Sequence, residues 1–171
     1  MFTLDEIIRA MTGIDTGESQ ITFTEAVIDS RKAAEGTLFT AIPGEQTDGH
    51  KYIASAFANG AGAALIEEDV PGDYAVLDLR GGKISGRDQI SSESPFVIRV
   101  ENTVEALQKT AACHRRLLSH MNVIGITGSV GKTTTKELIY DVLSRRFSTL
   151  KTLGNMNNEI GLLRTMLRGS D

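Results

Sequence analysis

The sequence predicts an α/β protein in which a small N-terminal α/β domain is followed by the beginning of a second α/β domain. Two patterns predict this class. A strand, a helix and a strand follow one another between residues 38 and 66, and a strand, a glycine-rich turn and a helix follow one another from residue 123. The composition agrees, because 40% of the 171 residues are hydrophobic and 23% are charged, close to the average of globular proteins.

The first elements are a helix and a pair of short strands. Thr3 and Glu6 have the spacing of a capping box, and apolar residues follow at helical spacing, so a helix is expected to run to about Met11. Glycines then interrupt the pattern. Residues 21–28 are predicted to form one or two short strands.

A βαβ unit comes next. The apolar run 38–42 predicts a strand that ends at Pro43, and a helix is expected over residues 49–59, with Gly60 as its C-terminal cap. Residues 63–66 are predicted to form the second strand. Two strands joined by a helical crossover are expected to lie parallel.

Two more strands complete the first part, over residues 74–79 and 96–100. A long polar loop separates them. Such a loop is either functional or a tolerated insertion, and we interpret this one as an insertion.

The second part begins with a helix that starts at Asn102, which we expect to link the two domains. A buried strand is predicted over residues 123–127, a helix from Lys132 to about Arg146, a short strand over residues 148–152 and a last helix over residues 159–168. The predicted domains are therefore residues 1–101 and 102–171.

Charge divides the chain in the same way. Residues 1–101 carry 8 basic and 17 acidic side chains, whereas residues 102–171 carry 10 basic and 5 acidic ones. We therefore expect an anionic ligand to bind the second part. A net charge of −4 without a dense basic face argues against nucleic-acid binding and favours a small phosphorylated ligand.

The chain has neither an apolar run of about 18 residues nor the basic start of a signal peptide, which predicts a cytoplasmic protein without membrane insertion. The single cysteine, Cys113, cannot form an internal disulfide and is interpreted as a packed thiol. His114 and His120 have no activating group nearby in the sequence.

The most specific motif lies between the predicted strand 123–127 and the helix after it, and consists of Gly128-Ser129-Val130-Gly131-Lys132-Thr133-Thr134. Glycines let successive backbone N–H groups point at phosphates, and the helix N-terminus adds to their field. Lys132 would reach the β- and γ-phosphates, and the Thr133 hydroxyl would coordinate Mg²⁺. Ile126 occupies the first glycine position of the strict pattern, so the loop is a variant. The alternative is a glycine turn that caps a lysine-bearing helix.

A second motif follows the predicted strand 148–152 and consists of Lys151-Thr152-Leu153-Gly154-Asn155-Met156-Asn157-Asn158-Glu159-Ile160-Gly161. Asparagines and a glutamate at the carboxyl end of a strand could line a nucleotide or metal site. By themselves they also suit turns and helix caps.

A third motif combines Asp29-Ser30-Arg31 with the loop of residues 42–50. Arg31 can bind a phosphate with two hydrogen bonds, and a glycine-containing loop after a strand can place backbone groups against a nucleotide base. Asp48-Gly49 is also an ordinary helix start, and His50 is interpreted as a capping or surface residue.

These three motifs, in this order, resemble the N-terminal part of the Mur ligase family. The resemblance spans nearly the whole chain, and it implies an ATP-dependent amide ligase of peptidoglycan precursor synthesis. Residues 1–101 would be a UDP-sugar-binding domain, and residues 102–171 would hold the linker helix and the start of a P-loop-type ATP-binding domain.

The resemblance also implies the ligands. The motif around Asn155 looks most like the members that join D-alanyl-D-alanine to UDP-N-acetylmuramoyl-tripeptide, with ATP and Mg²⁺, and that are monomeric at full length. The alternatives are a ligase that adds the third peptide residue and a non-catalytic UDP-sugar and ATP-binding module. An unrelated small P-loop hydrolase is also conceivable, but it leaves Asp29-Ser30-Arg31 unexplained.

By the same resemblance, roles are carried over to particular residues. Lys132 and Thr133 would act in catalysis, with Thr133 as a Mg²⁺ ligand. ATP would be bound by the phosphate loop, Gly128, Ser129, Val130, Gly131, Lys132, Thr133 and Thr134, and bordered by Asn155 and Asn158. The UDP part of the sugar-nucleotide substrate would contact Ile28, Ser30, Arg31, Glu45, Gln46 and Thr47.

The sequence departs from the family in two ways. Leu163 and Arg164 follow Ile160-Gly161-Leu162 where the family usually has proline, and the chain ends at Asp171, inside the second of three family domains. We therefore expect the 171-residue chain to be inactive in ligation on its own.

Overall fold

The computed structural model describes residues 1–17, 19–44, 47–152 and 159–168, within which lie seven strands and five helices. The strands are β1 (Phe2–Thr3), β2 (Thr22–Phe23), β3 (Glu25–Val27), β4 (Thr37–Thr40), β5 (Ala63–Ile66), β6 (Ala75–Asp78) and β7 (Phe96–Arg99). The helices are α1 (Leu4–Thr12), α2 (Ile53–Ala58), α3 (Thr103–Leu117), α4 (Lys132–Leu143) and α5 (Glu159–Leu167). The predicted α/β class is confirmed.

Five parallel strands form the main sheet in the order β3-β4-β5-β7-β6, and β1 pairs with β2 in a separate antiparallel ribbon. The predicted βαβ unit is the succession β4, α2, β5. Residues Gly49–Tyr52 form a 3₁₀ turn that leads into α2, so the predicted helix begins with a tighter turn. Gly60 follows α2 with a φ of 103°, a conformation that favours glycine.

Side chains alternate between the two faces of the sheet, because successive strand residues point in opposite directions. Leu38 and Leu65 face the cluster that α1 and α3 cover, whereas Phe39 and Ala64 face the cluster that α2 covers. Both faces of the central strands are buried, as expected for a parallel sheet.

Local capping positions the helices α1 and α3. The Thr3 hydroxyl accepts a hydrogen bond from the Glu6 N–H at 3.1 Å, and the Asn102 side chain accepts one from the Glu105 N–H at 2.8 Å. Both caps agree with the sequence patterns. Helix α3 packs on α1 and its buried residues belong to the same core as the sheet. The boundary predicted at residue 101 stays a prediction.

Two predicted strands are wrong. Residues 123–127 and 148–152 lie outside every strand, and the side chains of Val123 and Ile124 are 51% and 57% exposed. A strand needs a neighbour to pair its backbone N–H and C=O groups, and among the described residues neither segment has one. The apolar run is therefore not sufficient to make a strand here.

The helices of the second part differ in their packing. On α4, Leu138 and Val142 are 62% and 69% exposed. Helix α5 instead packs against α3 and β3, with Leu167 fully buried and the Arg164 Nε donating a hydrogen bond to the Ala26 carbonyl at 2.7 Å.

Candidate functional site

The candidate site begins where β3 and β4 end. Because these strands are parallel neighbours, their carboxyl ends lie at the same edge of the sheet, and the residues predicted to contact the UDP part follow them directly. Ile28 is 39% exposed after β3, and Ser30 is buried. The Ser30 carbonyl accepts a hydrogen bond from the Asn59 side chain at 2.9 Å, which ties this turn to the end of α2.

Asp29 and Arg31 form an ion pair within this turn. The Arg31 Nε and Nη2 donate to the two Asp29 carboxylate oxygens, each at 2.9 Å, and the Asp29 carboxylate also accepts from the Arg31 backbone N–H at 3.1 Å. These bonds to Arg31 lower the pKa of Asp29 to about 2. The Arg31 side chain remains 86% exposed. Its guanidinium is thus held in one orientation while it stays open to a ligand.

The loop after β4 is closed by short-range contacts. Pro43 and Asp48 form an antiparallel bridge, and the Gly49 N–H donates to the Ile42 carbonyl at 3.0 Å. A β-carbon at Gly49 would lie 2.6 Å from the Ile42 nitrogen, so only glycine fits this approach. The Thr47 hydroxyl lies 3.1 Å from the Tyr52 hydroxyl. The predicted contacts Glu45 and Gln46 lie outside the described residues.

The His50 side chain is largely buried, so the surface interpretation is wrong, whereas the predicted capped turn at Asp48 is present. Its side chain is 8% exposed, its Nδ1 lies 2.6 Å from the Asp48 carboxylate and its Nε2 accepts the Glu67 N–H at 2.9 Å. Asp48 also caps the following turn by accepting the His50 backbone N–H at 2.9 Å. The hydrogen bonds from His50 lower the pKa of Asp48.

The network continues to the start of α3. The Glu67 carboxylate accepts the Thr103 N–H at 2.8 Å and lies 2.9 Å from the Thr103 hydroxyl, which is also 3.1 Å from the Ala41 carbonyl. Thr103 is fully buried. The segments that follow β4 and β5 are therefore both fixed to the N-terminus of α3.

The predicted phosphate loop precedes α4 as expected. Gly128 and Gly131 have φ values of 147° and 82°, in the region that favours glycine, and Gly131 is the residue before the helix. The Lys132 Nζ donates a hydrogen bond to the Gly128 carbonyl, which closes the loop on itself. The Thr133 and Thr134 side chains are exposed. Within the described ranges, the hydrogen bonds of residues 128–134 stay inside the loop and its helix.

The segment 148–152 contacts α4 through two lysines, Lys136 of the helix and Lys151 of the segment, and not through strand pairing. The Lys136 Nζ donates to the Thr152 carbonyl at 2.8 Å, the Lys151 Nζ pairs with Glu137, and Lys151 lies 4.0 Å from the centre of the Tyr140 ring. The pair with Lys151 lowers the pKa of Glu137. Asn155 and Asn158, predicted beside ATP, lie outside the described residues.

Sequence reasoning missed two histidine contacts. His114 has a partner, because its Nδ1 lies 2.7 Å from the Glu6 carboxylate across the α1–α3 interface. The Asp48-Gly49-His50 spacing could have revealed the first half of the His50 network, since Asp side chains often accept from the residue two positions on. Burial raises the pKa of the Cys113 thiol, which agrees with a packed cysteine.

The part of the chain that the structure describes has neither a candidate membrane-spanning helix nor a candidate metal-binding cluster. It contains no helix that is both long and apolar enough to span a membrane. It also contains no cluster of three or more His, Cys, Asp or Glu side chains arranged to hold a metal ion.

Comparison with known proteins gives two family matches, a model of the Mur ligase family, catalytic domain, over residues 22–115 and a model of the Mur ligase middle domain over residues 126–171. A UDP-N-acetylmuramoyl-tripeptide–D-alanyl-D-alanine ligase of Bacillus subtilis is 38% identical over 81% of this chain and 26% of its own length. The first four curated relatives are ligases of this name, and the chain spans between 26% and 34% of their lengths.

Solved structures agree with these matches. A UDP-N-acetylmuramoylalanyl-D-glutamyl-2,6-diaminopimelate–D-alanyl-D-alanyl ligase from Acinetobacter baumannii has a TM-score of 0.72 at 29% identity, over 99% of this chain and 34% of that one. The MurF ligase from Thermotoga maritima in complex with ADP has a TM-score of 0.60 at 33% identity, over 91% of this chain and 31% of that one.

Proposed function

Because the chain belongs to the Mur ligase family, we propose that it forms the UDP-sugar-binding and phosphate-binding part of a cytoplasmic ATP-dependent ligase that joins D-alanyl-D-alanine to UDP-N-acetylmuramoyl-tripeptide. The observation that carries this proposal is the phosphate loop at the start of α4, in a chain whose first four curated relatives all bear this activity in their names. The relative from Thermotoga maritima solved in complex with ADP supports nucleotide binding.

The proposed reaction has two steps. A carboxylate oxygen of the tripeptide attacks the γ-phosphorus of ATP, the bond to the β-γ bridging oxygen breaks, and an acyl phosphate and ADP form. The amine of D-alanyl-D-alanine then attacks the acyl carbon, loses a proton and displaces inorganic phosphate, so that an amide bond replaces the acyl phosphate.

Lys132 and the loop glycines supply what the first step requires. Phosphoryl transfer is catalysed mainly by positioning and by neutralising charge on the phosphate oxygens. In the structure the Lys132 ammonium is held at the Gly128 carbonyl, within the loop that would surround the phosphates. On nucleotide binding Lys132 would exchange that carbonyl for phosphate oxygens, and the N–H groups at the start of α4 would face the same anion.

The residues at the start of α4 fit Mg²⁺. The Thr133 hydroxyl is exposed beside Lys132 and is a hard oxygen donor, the type that Mg²⁺ prefers. Mg²⁺ usually keeps several waters and binds substrate phosphates, so Thr133 would be one protein ligand among these. When bound, the ion would neutralise charge on the triphosphate. Thr133 would hold the ion at the start of α4.

The residues that would bind the sugar nucleotide lie at the carboxyl edge of the sheet. The Arg31 guanidinium, oriented by Asp29, would bind a phosphate oxygen of UDP, and Ile28 and Ser30 would line the site beside it. Thr47, with Glu45 and Gln46, would contact the same group. Asn155 and Asn158 are proposed to border ATP.

The test is phosphate release by the natural full-length enzyme, measured with each substrate left out in turn. We expect release to require ATP, UDP-N-acetylmuramoyl-tripeptide and D-alanyl-D-alanine together. Lys132→Ala is expected to lower kcat at least about a hundredfold. Lys109→Ala is the matched control and is expected to leave kcat unchanged, since Lys109 is an exposed lysine of α3 that pairs with Glu105 at 2.8 Å.

Three other results would contradict the proposal. Phosphate release without an amine acceptor would indicate a hydrolase. Release with UDP-N-acetylmuramoyl-dipeptide and a single amino acid would indicate the ligase that adds the third residue. UDP binding without any phosphate release would indicate a non-catalytic module.

A further inference from the structure

His50 connects two segments that are distant in sequence at the carboxyl edge of the sheet. Its imidazole is buried between the Asp48 carboxylate, 2.6 Å from Nδ1, and the backbone after β5, where the Glu67 N–H donates to Nε2 at 2.9 Å. The Glu68 N–H points to the same Nε2 at 3.5 Å. The ring therefore bridges 17 residues of chain with both nitrogens engaged.

The partners fix the protonation of the ring. A backbone N–H can only donate, so Nε2 must present a lone pair to Glu67. The proton of the neutral ring is then on Nδ1, where it is donated to the Asp48 carboxylate. A second proton on Nε2 would face the Glu67 N–H and would break this contact.

The contact closes the loop that precedes His50. Residues 44–47 lie between the two ends of the Pro43–Asp48 bridge, and the Asp48 carboxylate is held by both the ring and the backbone N–H of His50. Beyond the ring, the Glu67 carboxylate holds Thr103 at the start of α3. Asp48 is thus connected through His50 and Glu67 to the segment after β5 and to the start of α3.

We propose that His50, as the neutral Nδ1–H tautomer, is a positioning residue that holds Asp48, and with it the Pro43–Asp48 bridge, at the backbone after β5 and so sets the affinity for the sugar nucleotide. This inference rests on the proposed function, because that function places Thr47, the neighbour of Asp48, in contact with UDP. His50 itself touches no reacting atom. It acts through Asp48 and Glu67.

Two substitutions separate positioning from mere packing. His50→Gln places a side-chain oxygen close to the position of Nε2, so it keeps an acceptor for the Glu67 N–H. His50→Asn is also polar but too short to reach Glu67. His120→Gln is the matched control at an exposed histidine of the same chain.

The first readout concerns the ring and needs no ligand. Long-range ¹H–¹⁵N correlation spectra are expected to show a protonated Nδ1 and an unprotonated Nε2 for His50 at neutral pH. The opposite tautomer, or a doubly protonated ring, would overturn the proposal.

The second readout is the affinity for UDP, measured by calorimetry. His50→Asn is expected to bind UDP about tenfold more weakly than the unmodified protein, whereas His50→Gln and His120→Gln stay within about threefold. Equal affinity of His50→Asn and the unmodified protein would overturn the inference. So would a tenfold loss in His50→Gln, which keeps the acceptor and serves as the test if His50→Asn does not fold. An unmodified protein that shows the expected tautomer but binds no UDP would instead overturn the proposed function.

Discussion

The strand β5 and the segment 123–127 show how differently two similar sequences behave in this molecule. Ala63–Ile66 and Val123–Thr127 are both short apolar runs that precede or follow turns, and both are predicted as strands. Strand β5 pairs with β4 on one side and β7 on the other, and its four residues are buried. Residues 123–127 pair with no strand among the described residues, and Ile124 is 57% exposed. An apolar run identifies a candidate strand, but the segment forms a strand only where a neighbouring strand pairs with its backbone.

The comparison extends to the whole sheet that contains β5 and to the chain from residue 123 to the end of α4. The largest expected difference between these two regions is the loss of stability when an apolar side chain is removed. Phe39 in β4 is fully buried, so Phe39→Ala is expected to lower the free energy of unfolding by about 3–5 kcal/mol. Leu138 in α4 is 62% exposed, so Leu138→Ala is expected to change it by less than about 0.5 kcal/mol. Urea denaturation of both variants measures the difference, and similar losses would break the comparison.

The next-largest loss of stability is expected when the contact between His114 of α3 and Glu6 of α1 is removed. His114→Ala leaves the Glu6 carboxylate without its ring partner and removes the edge contact with Phe2, and is expected to cost about 1–3 kcal/mol. His120→Ala, at an exposed histidine, is the control. A double-mutant cycle with Glu6→Gln measures the coupling by urea denaturation. Purely additive losses would mean that the pair contributes no interaction of its own.

The attachment of α5 to the first region is expected to depend on Arg164. This side chain is 14% exposed, and its Nε bonds to the Ala26 carbonyl at the edge strand β3. Arg164→Ala is expected to weaken the docking of α5 by about 1–2 kcal/mol. Hydrogen exchange of residues 161–167 measures this, with Arg168→Ala, an exposed arginine after the same helix, as control. Unchanged exchange in Arg164→Ala would show that apolar contacts such as Leu167 suffice.

The smallest effect concerns the turn after β3. The folded-state pKa of Asp29 is about 2 against an ordinary value of 3.8, so the pair with Arg31 stabilises the fold above about pH 4 and loses that contribution as the pH falls towards 2. Because the pair is exposed to solvent, its contribution to the free energy of unfolding is expected to be small. Carboxyl-carbon NMR titration should show the Asp29 midpoint return towards 3.8 in Arg31→Ala. A midpoint that stays near 2 would assign the shift to another cause.

Local features of the fold were predictable from the sequence because their causes are local. The Thr3 to Glu6 and Asn102 to Glu105 caps each act within three residues, and the residues 63–66 predicted for β5 match its bounds. The glycines at 128 and 131 likewise have positive φ values, a conformation that favours glycine.

Features that depend on distant partners were not predictable. No pattern in the chain indicates that the Glu67 N–H meets the His50 ring or that Glu67 reaches Thr103, 36 residues later. The strands expected over 123–127 and 148–152 failed for the same reason, since their existence depends on neighbours that the sequence pattern does not specify.

Amide hydrogen exchange of the 171-residue chain tests most directly whether the two regions differ as described. We expect the amides of Ala63–Ile66 to exchange only through global unfolding, because both of their neighbours in the sheet must separate first. The amides of residues 123–127 are expected to exchange at close to the rate of an unstructured chain. Protection of residues 123–127 equal to that of β5 would contradict the account, since it would require a pairing partner that the described structure does not contain.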